Sequence, residues 1–206
     1  IGRRRISEVA DIIAGSGHDN MIYRSADVTD SQQLSKAFED VIQQTGRKIG
    51  CIFNLTAKSV PRNEEMTIDY ILSNDRSDIF SGSAAVKLTG LINAEQLRRK
   101  YSCKMYVLGS VTADFGMVKM SAYAASNLLA ENYCYYTDDE DLVYIGLSGW
   151  NNIGMNLKRS SGDMKEFLND FNTDKNGFLQ GFTAETGIRS INDILMTHTG
   201  NCLAGV

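Results

Sequence analysis

Three polar residues, Ser110, Tyr123 and Asn127, have types and spacings that could carry out a proton transfer. Ser110 ends a short apolar run, and Tyr123 follows near the start of a helical pattern. A spacing of four residues places Tyr123 and Asn127 on one helix face. A phenol beside a ketone oxygen can donate a proton as hydride arrives at the carbon, so ketone reduction is the chemistry that these residue types allow.

Lys87 is the candidate cation for this chemistry. A nearby positive charge lowers the pKa of a phenol from its usual value of about 10. Lys87 stands in Ala84–Gly90, an otherwise apolar helical segment. A single lysine in such a segment either extends its stem toward the surface or has a functional role, and the residues alone leave both open.

The elements that would position these residues alternate along the chain about five times. The predicted strands are Met21–Ala26, Ile49–Leu55, Lys104–Leu108, Leu142–Leu147 and Cys202–Val206. The predicted helices are Ile6–Ala14, a segment starting at Thr29-Asp30-Ser31, residues 66–99 with a break near Ser81-Gly82, Ser121–Tyr136, Met164–Phe171 and Ile188–Met196. This order predicts an α/β fold in one domain, a doubly wound parallel sheet of the Rossmann type.

Small and polar residues follow four of the predicted strands. These groups are Asp27–Asp30, Asn54–Ala57, Gly109–Val111 and Ser148–Asn152. Ligands of doubly wound folds bind at the carboxyl ends of the strands. The four groups are therefore candidate binding positions.

Composition excludes several classes of protein. The chain has 206 residues, 43% apolar and 22% charged, which is typical of a globular domain with a sizeable core. A net charge of −4 argues against nucleic acid as a partner. We find no membrane-length apolar run, signal peptide or metal-ligand cluster, so we expect a cytoplasmic protein without membrane or metal. The four separated cysteines are expected to be buried free thiols.

The ordered set of motifs resembles the short-chain dehydrogenase/reductase superfamily. Within it, the set is similar to the ketoreductase domains of modular polyketide synthases and nonribosomal peptide synthetases. Free-standing members usually have a lysine four residues after the tyrosine, whereas this chain has Asn127 there and Lys87 upstream. The runs that carry the resemblance are ADVTD, VKLTG, GSV, SAYAASN and GWNNIGM.

The resemblance implies a role for each residue of the set. Tyr123 would donate the proton to the carbonyl oxygen, and Ser110 would donate a hydrogen bond to that oxygen. Lys87 would lower the pKa of Tyr123 and contact the nicotinamide ribose. Asn127 would anchor Lys87 or a proton-relay water.

The resemblance also implies NADPH as cofactor. Gly2 and Arg3 match the element in which an arginine pairs with the 2′-phosphate, a geometry that suits a guanidinium. Further cofactor contacts would come from Asp27 and Val28 beside the adenine, and from Asn54, Thr56 and Ala57 beneath the ribose. The residues expected near substrate are Phe115, Trp150 and Met155.

The chain departs from the family pattern at its phosphate loop. The sequence Gly15-Ser16-Gly17 follows a helix and precedes a strand, which is the wrong order for a dinucleotide loop. We therefore expect the chain to lack the first βα unit and to begin within the second strand. Lys58 and Phe115 also differ from the residues that mark the stereochemical classes, so the handedness of the product stays open.

The expected function is NADPH-dependent reduction of a keto group on an acyl thioester within a multidomain synthase. The substrate would be β-keto, or α-keto in a nonribosomal synthetase. The expected partners are an acyl or peptidyl carrier protein and neighbouring synthase domains. Two alternatives stay open: a catalytically inactive ketoreductase-like structural domain, and a free-standing short-chain carbonyl reductase.

Overall fold

The computed structural model describes residues 1–18, 20–58, 77–116, 121–150, 181–197 and 200–204. Its sheet has four parallel strands in the order β1-β2-β3-β4: β1 (Cys51–Asn54), β2 (Lys104–Ser110), β3 (Leu142–Leu147) and β4 (Cys202–Ala204). The α-helices are α1 (Ala10–Gly15), α2 (Ser31–Thr45), α3 (Ser77–Ala84), α4 (Gly90–Tyr101), α5 (Thr112–Phe115), α6 (Ser121–Thr137) and α7 (Ala184–Thr197). A parallel sheet with flanking helices confirms the predicted Rossmann-like α/β fold. The predicted helix Met164–Phe171 lies outside the described residues.

Helices pack on both faces of the sheet because successive side chains of a strand point to opposite sides. On one face, Met105 and Val107 of β2 join Leu91 of α4 and Ala130 of α6 in one apolar cluster. On the other face, the neighbouring strand residues join α7 in a second cluster. Its members are Tyr106, Val143, Ile145, Leu147, Phe182, Ile194 and Ala204, with Ile191 and Leu195 packed against them. The apolar core therefore forms two layers around the sheet.

The helix predicted to start near Thr29 begins as expected. The Asp30 carboxylate accepts hydrogen bonds from the backbone N–H groups of Gln32 and Gln33, both at 3.0 Å. These bonds satisfy two of the donors that a helix leaves free at its N-terminus. The helix ends at Gly46, whose φ of 66° is in the left-handed region that glycine adopts readily.

The predicted break near Ser81-Gly82 is wrong. The helix runs through these residues as α3, then widens into a π-helical turn, Ala85–Thr89, before continuing as α4. Lys87 lies at the centre of this turn and is buried. A π-turn inside an α-helix changes the direction of the side chains that follow, and such turns are frequent at functional sites.

Two of the predicted strands differ from expectation. In Met21–Ala26, only Ser25 pairs, through one parallel bridge to Gly2. Strand β1 is at the edge of the described sheet and is buried on one face only, so Phe53 is 45% exposed. A continuous apolar run such as Ile49–Leu55 predicts a strand that is buried on both faces, and the exposure of Phe53 shows that this prediction is wrong.

The four cysteines are free thiols that differ in burial. Cys103 and Cys134 are buried, Cys202 is half-buried and Cys51 is exposed. Cys51 corrects the expectation of burial because it lies on the open face of the edge strand β1. No described helix has the length and apolarity needed to cross a lipid bilayer.

A buried ion cluster ties α4 to the loop before β3. Glu95 is 2% exposed and accepts hydrogen bonds from Arg98 Nε at 2.6 Å and from Arg99 Nε at 2.6 Å. Arg98 also donates to Asp139 at 2.5 Å, so the guanidinium joins two segments of the chain. Removing one partner of a buried pair leaves the other charge without compensation.

We therefore expect Glu95→Gln to lower the free energy of unfolding by about 3 kcal/mol, the usual cost of breaking a buried ion pair. Chemical denaturation at neutral pH measures this. Glu185→Gln is the matched control, because Glu185 forms the same i,i+4 pair with Arg189 on the surface. Equal stability of the two variants would contradict a structural role for the buried cluster.

Candidate functional site

Ser110, Tyr123 and Asn127, here called the Ser110 cluster, meet at the carboxyl end of β2. Ser110 is the last residue of β2 and Tyr123 lies in the first turn of α6. The side chains of Ser110 and Asn127 lie beside the phenol of Tyr123 and lower its pKa through hydrogen bonding. The structure thus brings together three of the four residues expected to act in proton transfer.

The side chain of Ser110 is held in place by the turn that follows β2. Its hydroxyl oxygen accepts hydrogen bonds from the N–H of Thr112 at 3.2 Å and from the Thr112 hydroxyl at 3.0 Å. Because these contacts use the lone pairs of the oxygen, the Ser110 proton is left for donation toward Tyr123. Ser110 is 8% exposed, so the cluster lies at the edge of the core.

Asn127 is almost fully buried and has one free acceptor. Its Nδ2 donates to the backbone carbonyl of Tyr123 at 2.9 Å, one turn earlier in α6. Its Oδ1 is buried and has no hydrogen-bond partner among the described residues. A buried acceptor without a partner costs free energy, which indicates that a donor outside the described atoms satisfies it.

Two opposing effects set the pKa of Tyr123. Burial raises the pKa, because it disfavours the charged phenolate, and this effect is the larger. Hydrogen bonds from Asn127 and Ser110 lower it. The phenol is therefore protonated at neutral pH, and the two donors are placed to stabilise the oxygen once its proton leaves.

Lys87 is buried beside the cluster. Its ammonium donates to the backbone carbonyl of Leu108 in β2 at 2.7 Å. Burial lowers its pKa to about 8, and the neighbouring Cys134 has a smaller effect in the opposite direction. The lysine is therefore directed inward, and the surface interpretation of this residue is wrong. A direct effect of Lys87 on the pKa of Tyr123 stays a prediction.

The expected cofactor residues near the adenine form one structured turn. The Asp27 carboxylate accepts from the N–H of Thr29 at 2.9 Å and from its hydroxyl at 2.7 Å. These hydrogen bonds lower the pKa of Asp27, and Arg3 adds a smaller effect of the same sign. Gly2 pairs with Ser25, which places Arg3 beside this turn.

The residues after β1 lie next to the same region. The Asn54 side chain is buried and accepts from the backbone N–H of Thr56 at 3.1 Å, while Ala57 is exposed. Gly90 allows the two loops to approach, since a Cβ there would lie 2.8 Å from Val28 Cγ2 and 3.7 Å from Thr56 Oγ1.

Asn93 adds a contact to this region that the sequence did not indicate. Its Nδ2 donates to the Val28 carbonyl at 2.9 Å. An asparagine within a helix gives no signal of such a contact in the sequence. Together with Gly90, it fixes the loop after the Met21–Ala26 segment against α4.

The residues expected near substrate occupy different surroundings. Phe115 ends α5 and is 47% exposed. Trp150 packs against Phe182, with ring centroids 5.8 Å apart, and against Gly187 of α7. The structure therefore gives Trp150 a packing role beside β3. Met155 lies outside the described residues.

Comparison with solved structures shows which fold this is. One similar structure is a short-chain dehydrogenase from Streptomyces avermitilis, with a TM-score of 0.67 and 16% identity over 99% of this chain and 77% of that one. Another is a short-chain dehydrogenase/reductase of unknown function from Caenorhabditis elegans, solved with cofactor. It has a TM-score of 0.71 and 16% identity over 98% of this chain and 82% of that one. The chain has the short-chain dehydrogenase/reductase fold. No family model and no curated protein matches the sequence.

Burial of Lys87 predicts a pH dependence of stability. Its pKa is about 8 in the folded protein against 10.5 ordinarily, so between these values the unfolded chain binds more protons. Stability from this group must then rise as pH increases from about 8 toward 10.5. We expect the free energy of unfolding of the wild type, relative to that of Lys87→Met, to increase with pH over this range.

Urea denaturation at a series of pH values measures this difference, in which the other titrating groups cancel. Lys48→Met, at an exposed lysine, is the matched control. A difference between wild type and Lys87→Met that stays constant across the range would show that the ammonium is solvated.

Proposed function

We propose that the chain is an NADPH-dependent ketoreductase that reduces the keto group of an acyl thioester held on a carrier protein. The observation that carries the proposal is the Ser110 cluster, in which two polar side chains beside the half-buried Tyr123 lower the pKa of its phenol. It lies at the carboxyl edge of a parallel sheet, where doubly wound folds bind ligands. The similarity to short-chain dehydrogenase structures supports the assignment to oxidoreductases.

The residues of the chain would supply the proton that a ketone reduction requires. When bound, the nicotinamide supplies the hydride. Tyr123 donates its phenolic proton to the carbonyl oxygen as negative charge develops there. Ser110 and Asn127 stabilise the tyrosine oxygen that remains, because both side chains lower the pKa of that phenol. The free Oδ1 of Asn127 fits a water that returns a proton.

The described residues fit the two ends of a nicotinamide dinucleotide. Arg3 beside Asp27 would hold the adenosine end, and Arg3 offers the charge that a 2′-phosphate requires. Asn54, Thr56 and Val28 would lie along the ribose, where Gly90 leaves room for close packing. At the nicotinamide end, Asn127 Oδ1, which has no hydrogen-bond partner among the described residues, could accept a hydrogen bond.

The position of the lysine supports a carrier-bound substrate. Lys87 reaches the end of β2 from the π-turn, while Asn127 stands in the place that free-standing reductases usually give to lysine. This exchange is shared with synthase ketoreductases, so we expect an acyl or peptidyl carrier protein as partner. The keto group would be β to the thioester, or α in a nonribosomal synthetase.

Tyr123→Phe removes the phenolic hydroxyl and with it the proton to be donated. We expect it to lower kcat for NADPH oxidation with a keto thioester by about 10²- to 10⁴-fold, the usual contribution of a general acid. Absorbance at the reduced nicotinamide band, measured on the full-length protein, gives the rate. NADPH affinity should stay within experimental error, because the phenol is not expected to set it.

Tyr135→Phe is the matched control, since Tyr135 lies on the exposed face of the same helix. Unchanged turnover in Tyr123→Phe would rule out the proposed acid. A folded wild-type protein that binds no NADPH would favour a structural domain. Equal turnover of carrier-bound and small free ketones would favour a free-standing reductase.

Arg3→Ala tests the cofactor preference. Losing a charge-assisted pair with the 2′-phosphate should weaken NADPH binding by about tenfold or more and leave NADH binding unchanged. Cofactor fluorescence titration measures both constants. Arg5→Ala is the control at the other end of the same basic run. A parallel loss for both cofactors would show that Arg3 does not contact the phosphate.

A further inference from the structure

Strand β2 extends beyond its neighbour β1, so its last backbone groups on that side have no strand partner among the described residues. Pairing between the two strands ends at Asn54 and Val107, whereas β2 continues to Ser110. Met105 and Val111 direct their N–H groups to the β3 side. Because backbone groups alternate between the two sides of a strand, those of Leu108 and Ser110 face the side where β1 has ended.

Two side chains bond to these exposed backbone groups. Lys87 donates to the Leu108 carbonyl at 2.7 Å. The Tyr144 hydroxyl accepts from the Ser110 N–H at 3.1 Å and lies 3.4 Å from the Ser110 carbonyl oxygen. Tyr144 belongs to β3, on the opposite side of β2, so its ring must cross the face of β2 to reach them.

Gly109 makes this crossing possible. A Cβ at Gly109 would overlap the ring and hydroxyl of Tyr144, so only glycine leaves the required space. The residue of β3 that faces Gly109 is Gly146, so the paired position on β3 also has no side chain. Tyr144 is fully buried, and its hydroxyl has no bulk water with which to exchange partners.

We propose that Tyr144 is a positioning residue, whose hydroxyl holds the backbone of Ser110 so that the serine side chain faces Tyr123. This inference rests on the proposed function, in which Ser110 stabilises the phenolic oxygen of Tyr123 during proton transfer. The contact is specific to one atom, since Phe would fill the same space without the hydroxyl. The Tyr144 hydroxyl would affect the reaction only by way of Ser110. A residue that merely stabilised the fold would affect the reaction whether or not Ser110 were present.

The test is a double-mutant cycle of Tyr144→Phe and Ser110→Ala in the full-length protein. We expect Tyr144→Phe to lower kcat by about tenfold, comparable to the loss of one buried hydrogen bond, with the KM for NADPH unchanged. In the Ser110→Ala background, the same change should cost less than about twofold, because the serine it positions is gone. Tyr135→Phe controls for removal of a tyrosine hydroxyl.

The outcomes separate this inference from the proposed function. A large loss in Ser110→Ala with full kcat in Tyr144→Phe overturns the positioning role and leaves the proposed function intact. Equal losses from Tyr144→Phe in both backgrounds also overturn it, since they show general stabilisation. Full activity in Ser110→Ala overturns the proposed function, and the positioning role with it.

Gly109→Ala gives a second test if Tyr144→Phe does not fold. The added methyl group displaces the Tyr144 ring while keeping its hydroxyl. We expect the same loss of kcat, and again little further loss when Ser110→Ala is added. Full kcat in a folded Gly109→Ala variant would overturn the inference.

Discussion

The site depends on one constraint: at the end of β2, the Leu108 carbonyl and the backbone groups of Ser110 face a side where no described strand pairs with them. Leaving such groups without partners costs free energy comparable to a lost hydrogen bond. The fold satisfies them with the ammonium of Lys87 and the hydroxyl of Tyr144. Both side chains bond to the backbone near Ser110. The contacts that satisfy the end of β2 therefore also hold the backbone at the candidate site.

Helices α3, α4 and α6 position the side chains that meet at the end of β2. The π-turn at Ala85–Thr89 lies between α3 and α4 and directs Lys87 inward. The following Gly90 lets α4 pack closely against Val28 and Thr56, which joins the candidate cofactor loops to the lysine. Helix α6 then brings Tyr123 and Asn127 to Ser110 with the spacing of one turn. Burial raises the pKa of the phenol, and hydrogen bonding by Asn127 and Ser110 lowers it.

Sequence patterns predict the parts of this arrangement that depend on local spacing. Residues Tyr123 and Asn127 share a helix face because four residues make about one turn, and Asp30 caps its helix through its own side chain. Contacts between distant segments are different. Tyr144 lies in the apolar run LVYIGL, and nothing in that run shows that its hydroxyl reaches Ser110, since the contact needs both the register of β2 with β3 and the space at Gly109. The exposed Cys51 and Phe53 were missed for the same reason, because burial of a strand depends on what covers each face.

In the proposed reaction, a reduced nicotinamide would supply hydride to a ketone and Tyr123 would protonate the ketone oxygen. The most direct measurement follows a label from reduced cofactor deuterated at the transferable C4 position into a β-keto thioester, with the full-length protein and mass spectrometry of the product. We expect a hydroxy thioester that carries one deuterium at the carbinol carbon. Recovery of unreduced ketone from a protein that binds both cofactor and substrate, or of an alcohol without the label, would contradict it.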